Sequence, residues 1–258
     1  PLGVFGVALG TVILPALARH HVGTDREGFS NALDWGLRMT LLISIPAMLG
    51  LLLLAEPLIA TIFQHGEFTA FDTRMTALAV YGLSFGLPAF ALLKVVLPAF
   101  YARQDTRTPV RAGIAALVAN MVFNFALLAV LYHVMVPAEL RAQGVMQALG
   151  QQPGLHLALG IASALSSYLN LGLLWYWLGK TDVYARRPGW SRFLVRLVVA
   201  CVAMVAVLLG LLHWLPAFTP MGLWERIGAL ALLVGSGGAT YLLVQVMLGL
   251  RPRDLRGH

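Results

Sequence analysis

The stretch from Met39 to Phe63, MTLLISIPAMLGLLLLAEPLIATIF, decides the fold, because it holds a single charged residue, Glu56, and directly follows Arg38. A helix needs about 20 residues to cross the hydrocarbon core of a bilayer, and this stretch exceeds that. Backbone amides find no partner in lipid, so a spanning segment is a helix or a strand of a closed barrel. The length and the lack of period-2 alternation make it a helix.

Six more apolar stretches flank it: Leu2–Leu17, Met75–Tyr101, Val110–Val136, Leu155–Leu178, Phe193–Leu215 and Ile227–Leu250. All but the first are long enough to span. The chain opens on Pro1-Leu2-Gly3, already apolar and with no basic n-region, so it reads as a piece of a longer protein and not as a signal peptide. The expected fold class is all-α, a polytopic membrane helix bundle of about seven transmembrane helices.

Composition agrees. Hydrophobic residues make up 59% of the chain and charged residues 11%, with a mean hydropathy of +0.80. An ordinary soluble domain is about 25% charged, so this chain has too little polar surface to face water. The formal charge of +7 would suggest nucleic acid in a soluble protein. No aromatic-basic stripe supports that here, and cationic loops beside anionic membrane lipids account for the charge. The lone Cys201 lies in an apolar run, which excludes a disulfide framework and a thiolate metal site.

The cations alternate between joints. Arg19, Arg26 and Arg38 occupy the first, Arg103, Arg107 and Arg111 the third, Lys180, Arg186, Arg187, Arg192 and Arg196 the fifth, and Arg251, Arg253 and Arg256 the tail. The intervening joints carry only Arg74, Arg141 and Arg226. Lys and Arg are retained on the cytoplasmic side, so the C-terminus is expected in the cytoplasm and Pro1 on the outer side. Thr108-Pro109 reads as a capping hydroxyl before a first-turn proline, and Arg187-Pro188-Gly189-Trp190 as another helix start. The six tryptophans fall near expected span ends, and Asn31 to Arg38 extends the second span's helix into the cytoplasm. The outer joint Pro137–Gly154 is the longest and could hold a short surface helix.

Few residues suggest chemistry. Lys94 is the one Lys or Arg lying deeper than the first turn of a span, nine positions before Arg103, or about 13 Å of helix. Its stem either snorkels to the cytoplasmic headgroups or faces a water-filled cavity and attracts an anion, which makes it a substrate-path candidate. Pro46, Pro57, Pro88 and Pro98 interrupt spans two and three, as shape alone or as bending points of an alternating-access transporter. Asn120 and Asn124 share one helix face, and the fifth span carries Ser163, Ser166, Ser167 and Asn170. Interhelical hydrogen bonds are the favoured reading, at about 0.6–2 kcal/mol per contact. A small-cation site is the alternative, weakened because no embedded carboxylate accompanies the group. Gly6-x-x-x-Gly10 and Gly82-x-x-x-Gly86 allow close backbone approach. No catalytic motif, no metal-ligand set and no cofactor signature is present, so no enzyme is expected.

Three joints carry more specific wording: Phe63-Gln64-His65-Gly66-Glu67-Phe68-Thr69-Ala70-Phe71-Asp72-Thr73, Phe100-Tyr101-Ala102-Arg103-Gln104-Asp105-Thr106-Arg107-Thr108-Pro109-Val110, and the opening Pro1 to Pro15. Together with the Pro188-Gly189-Trp190 helix start, they resemble the MurJ (MviN) family of lipid II flippases, within the multidrug/oligosaccharidyl-lipid/polysaccharide exporter superfamily. The resemblance runs through essentially the whole chain. It implies a fourteen-helix protein of two six-helix lobes plus two extra helices, of which this chain would be helices eight to fourteen. Residues 1–180 would then be a partial second lobe, and residues 181–258 the two additional spans and a basic tail.

The implied activity is carriage of undecaprenyl-pyrophosphate-linked peptidoglycan precursor, lipid II, across the bacterial inner membrane. The implied partners are lipid II, membrane lipids, the missing N-terminal lobe and cell-wall synthesis proteins. The family's cavity arginines lie upstream of Pro1, so none carries onto this chain, and Arg103, Asp105, Arg107, Thr108 and Pro109 are carried as a cytoplasmic loop motif. Other readings are a superfamily exporter of another lipid-linked glycan or a drug, or a non-transporting scaffold for cell-wall synthesis.

Overall fold

Asp25 starts the first helix. Its carboxylate accepts the Gly28 N–H at 2.8 Å, satisfying one of the unpaired first-turn donors. From this cap α1 (Arg26–Phe63) runs for 38 residues. The computed structural model describes residues 25–138, 154–181, 184, 187–216, 218 and 221–250. The first apolar segment, Gly6-x-x-x-Gly10, Arg19, most of the Pro137–Gly154 joint and the tail arginines lie outside the described residues.

After α1 come α2 (Ala70–Phe85), α3 (Leu87–Tyr101), α4 (Arg107–Met135), α5 (Leu155–Gly179), α6 (Trp190–Trp214) and α7 (Leu223–Met247). There is no strand among the described residues. Five of these helices are long and apolar enough to cross a membrane, and α2 and α3, bent by 40° at their break, meet the same length and apolarity only as a pair. That is the all-α bundle expected. Many large apolar side chains stand in the open: on α4, Phe125 is 73% and Leu117 is 63% exposed. A surface of this kind belongs in lipid or against another protein, since soluble monomers rarely expose apolar patches of such size.

The prolines act differently from the sequence expectation. Pro46 and Pro57 do not interrupt their span, because α1 continues through both. Pro46 has no N–H to give to the Leu42 carbonyl one turn back, and the Tyr241 hydroxyl of α7 donates to that carbonyl instead, at 2.7 Å. The break falls in the other span, at Gly86. Pro88 then sits in the first turn of α3, where a missing N–H removes no helix bond.

Packing follows from these elements. The long α1 touches α2, α3, α6 and α7, while α5 touches α2, α3 and α4. Two buried clusters result. One joins Phe29 and Leu33 of α1 to Val96 and Phe100 of α3 and Leu174 and Leu178 of α5. The other joins Met39 and Leu54 of α1 to Met204 and Leu208 of α6 and Leu233 of α7. At the α2/α5 crossing the two backbones approach closely. A Cβ on Gly82 would come within 2.8 Å of the Gly160 Cα, and a Cβ on Gly86 within 3.0 Å of the Ala164 Cα. Residues four apart on one helix thus meet residues four apart on the other, with backbone against backbone.

Candidate functional site

The polar groups expected between spans four and five do come together, in a particular way. Asn120 Nδ2 of α4 donates to the Ser166 hydroxyl of α5 at 3.3 Å, and Asn124 Nδ2 donates to Asn120 Oδ1 at 3.0 Å. The serines mostly turn back on their own helix. Ser163 donates to the Leu159 carbonyl at 3.0 Å, and Ser166 and Ser167 both donate to the Ser163 carbonyl, at 3.0 and 2.8 Å. Ser166 is therefore the residue whose hydroxyl joins the two helices, while Ser163 and Ser167 make no hydrogen bond to either asparagine. The Asn124 and Asn170 side-chain carbonyls are buried without a hydrogen-bond donor.

Lys94 lies off the buried face of α3, which is formed by Ala89, Val95, Val96, Ala99 and Phe100. It is half-buried and forms no ion pair or hydrogen bond among the described residues.

The joint from Arg103 to Pro109 is built as a pair of helix ends. Asp105 N–H donates to the Phe100 carbonyl at 3.1 Å and Gln104 N–H to the Tyr101 carbonyl at 2.9 Å. This is the paired closure of a helix C-terminus, and it needs a left-handed residue, here Gln104 with φ 58°. The next residue starts α4: Asp105 Oδ1 accepts the Thr108 N–H at 3.0 Å. The cap is thus the Asp105 carboxylate and not the Thr108 hydroxyl expected from sequence, because the helix begins one residue before Thr108. Thr108's hydrogen bonds, through side chain and then backbone, hold the Asp105 carboxyl below its usual range, with a smaller contribution from Arg103. Arg103 Nη1 donates to the Thr181 hydroxyl at 3.0 Å, tying the joint to the end of α5. Pro109 is buried, whereas Arg107 points to solvent.

The sequence reading missed Asp34. It is 4% exposed and serves three donors: Trp190 Nε1 at 2.7 Å, the Tyr184 hydroxyl at 2.9 Å, and Arg38 Nε at 2.7 Å, the last an ion pair without hydrogen-bond alignment. The Arg38 guanidinium also lies 5.1 Å from the Trp190 ring centroid. One carboxylate on α1 thus holds the start of α6. The only signal in the sequence was the four-residue spacing of Asp34 and Arg38. At the opposite end, Arg226 of α7 donates to the Ala60 and Gln64 carbonyls at 2.9 and 3.1 Å, closing the C-terminus of α1.

Comparison with known proteins decides the family. The profile described as "MurJ: Lipid II flippase MurJ" matches residues 1–227. The chain belongs to the MurJ family. Among MurJ relatives, a "Probable lipid II flippase MurJ" of Vibrio cholerae is 39% identical over 258 residues, covering 99% of this chain and 44% of that protein. The "Lipid II flippase MurJ" of Burkholderia cenocepacia is 38% identical over 216 residues, covering 83% of this chain and 36% of its own length. A solved MurJ structure, titled "Lipid II flippase MurJ, inward closed conformation", shares the fold at a TM-score of 0.69 and 20% identity, over 96% of this chain and 44% of that one. The chain therefore spans a little under half the length of these MurJ relatives, and it is part of a multi-pass membrane protein.

Proposed function

We propose that this chain forms the second half of a transporter that moves undecaprenyl-pyrophosphate-linked peptidoglycan precursor across a bacterial inner membrane by alternating access. The observation that carries the reading is the family match through residues 1–227, with 39% identity to a relative named for lipid II flipping. Transport of this cargo must bring a polar head and a diphosphate past hydrocarbon, while the polyprenyl tail stays in lipid. A cavity between two lobes, opened alternately to each side, solves that problem. On this reading residues 1–180 belong to a lobe that packs on an upstream one, and residues 181–258 form an added helical pair with a cytoplasmic tail. Membrane lipids surround both, and cell-wall synthesis proteins consume the product.

Within this chain Lys94 is the proposed cargo-side cation. Its position off the packed face of α3 and its lack of an ion-pair partner among the described residues support the role. The joint from Arg103 to Pro109 is proposed to hold the ends of α3 and α4 together on the cytoplasmic side during cycling. The test is made in the complete reading frame, as the sole lipid II flippase of a depletion strain, with lipid II accessibility at the outer leaflet as readout. Lys94→Ala lowers translocation by about tenfold, and Lys94→Arg retains most of it. Wild-type translocation by the Ala variant returns Lys94 to a snorkelling role. No translocation by the unmodified protein removes the flippase reading itself.

A further inference from the structure

A cavity of about 490 Å³ lies between α1 and the start of α6. Four arginines line it, Arg38, Arg187, Arg192 and Arg196, and Asp34 is the only carboxylate among the described lining residues. That carboxylate is fully engaged by Trp190, Tyr184 and Arg38. Arg187 pairs with Glu27 at 3.0 Å, and Arg38 also donates to the Pro188 carbonyl at 3.1 Å.

Arg192 and Arg196 are left. They are four apart on α6, so they share a face, and neither has an acceptor among the described residues. The Nε and Nη2 atoms of Arg196 are buried without a hydrogen bond, and leaving the donors of a charged group unpaired is unfavourable. The start of α6 lies at the same cavity. Gly189, with φ +91°, gives its first-turn amides no side-chain cap, and such a helix end favours negative charge.

We propose that this cavity is a binding site for a phosphate group, held by Arg192 and Arg196 with Arg38 at its edge. The donor set selects the anion. Two guanidinium forks four residues apart suit the tetrahedral oxygens of a phosphate, which accept such forks in bidentate pairs. Trp35 and Phe193 also line the cavity, a setting that suits a phosphate carried at the membrane surface, either as the headgroup of an anionic lipid or as a soluble phosphate. The inference stands apart from the transport reading, because it concerns binding beside α6 and not cargo movement.

The test uses the full-length protein, purified in neutral detergent and free of added lipid. Phosphatidylglycerol, phosphatidylcholine and inorganic phosphate are titrated separately, with binding read by native mass spectrometry and by thermal shift. The expected result is saturable binding of phosphatidylglycerol or of inorganic phosphate, weakened about tenfold or more in Arg192→Gln/Arg196→Gln. Arg196→Lys should bind better than Arg196→Gln, and Arg74→Gln should bind as the wild type does. Preference for phosphatidylglycerol over both phosphatidylcholine and inorganic phosphate identifies a lipid headgroup, and binding of inorganic phosphate alone identifies a soluble anion. The single Arg192→Gln change removes an exposed side chain and leaves the core intact, so its effect reports on binding and not on folding. The proposal is overturned if the wild type binds neither probe, or if Arg192→Gln and the double variant bind as tightly as the wild type.

Discussion

Asp105 shows how one carboxylate serves two helices. It follows the left-handed Gln104 that closes α3, and it accepts the Thr108 N–H that opens α4. Its acidity is raised by those hydrogen bonds, so the sign of the pH effect is fixed. A carboxyl whose folded pKa lies below its unfolded value stabilises fully above the ordinary carboxylate pKa, about 3.9, and that contribution fades as pH falls through the lowered folded value. Asp105→Ala should cost about 1 kcal/mol at neutral pH, in line with other lost caps. Asp105→Asn should keep most of the cap while removing its pH dependence. Thermal unfolding in detergent at pH 7 and below pH 4 checks both; equal acid sensitivity of the wild type and the Asn variant would count against this account.

At the scale of elements, a proline and a tyrosine are complementary across two helices. Pro46 leaves the Leu42 carbonyl without its helical donor, and Tyr241 supplies one while accepting from Gln245 Nε2 at 3.1 Å. Tyr241→Phe should therefore destabilise the protein by about 1–2 kcal/mol. In a Pro46→Ala background the backbone amide returns, and the same change should cost about 1 kcal/mol less. A double-mutant cycle on unfolding stability measures that coupling, and additive effects would mean the two residues act independently. The α2/α5 crossing has a matching logic. Gly82 and Gly160 are there because the backbones touch, which the spacing of Gly82 and Gly86 foreshadowed for one helix without naming the other.

At the scale of the molecule, two clusters share α1, and the described joints bearing Arg103 and Arg187 meet the end of α5 and the start of α1 through Arg103–Thr181 and Arg187–Glu27. The alternation of cations predicts that Arg107 and Arg187 face the same compartment, with His65 facing the other. Single cysteines at these positions, in a background lacking Cys201, should label accordingly with a membrane-impermeant thiol reagent in intact cells: position 65 reacts, and positions 107 and 187 react only after permeabilisation. Labelling of 107 and 187 from opposite sides would break the topology.

The five unbroken spans were legible in the sequence because length and apolarity alone set them, with no need for knowledge of neighbours. The joint at Arg103–Pro109 was legible as a motif, yet its cap was assigned to Thr108, since only backbone geometry shows where α4 begins. Asn120 and Asn124 were visible as one face, but the choice of Ser166 over Ser163 and Ser167 depended on how α5 is rotated against α4. Asp34, Tyr241 and Arg196 lay beyond reach. Each takes its meaning from groups far away in the chain or from their absence nearby, and a bilayer supplies no water to satisfy what the packing leaves unpaired. The order of elements was thus a property of the chain alone, while the pairing of buried polar groups was decided when the helices packed.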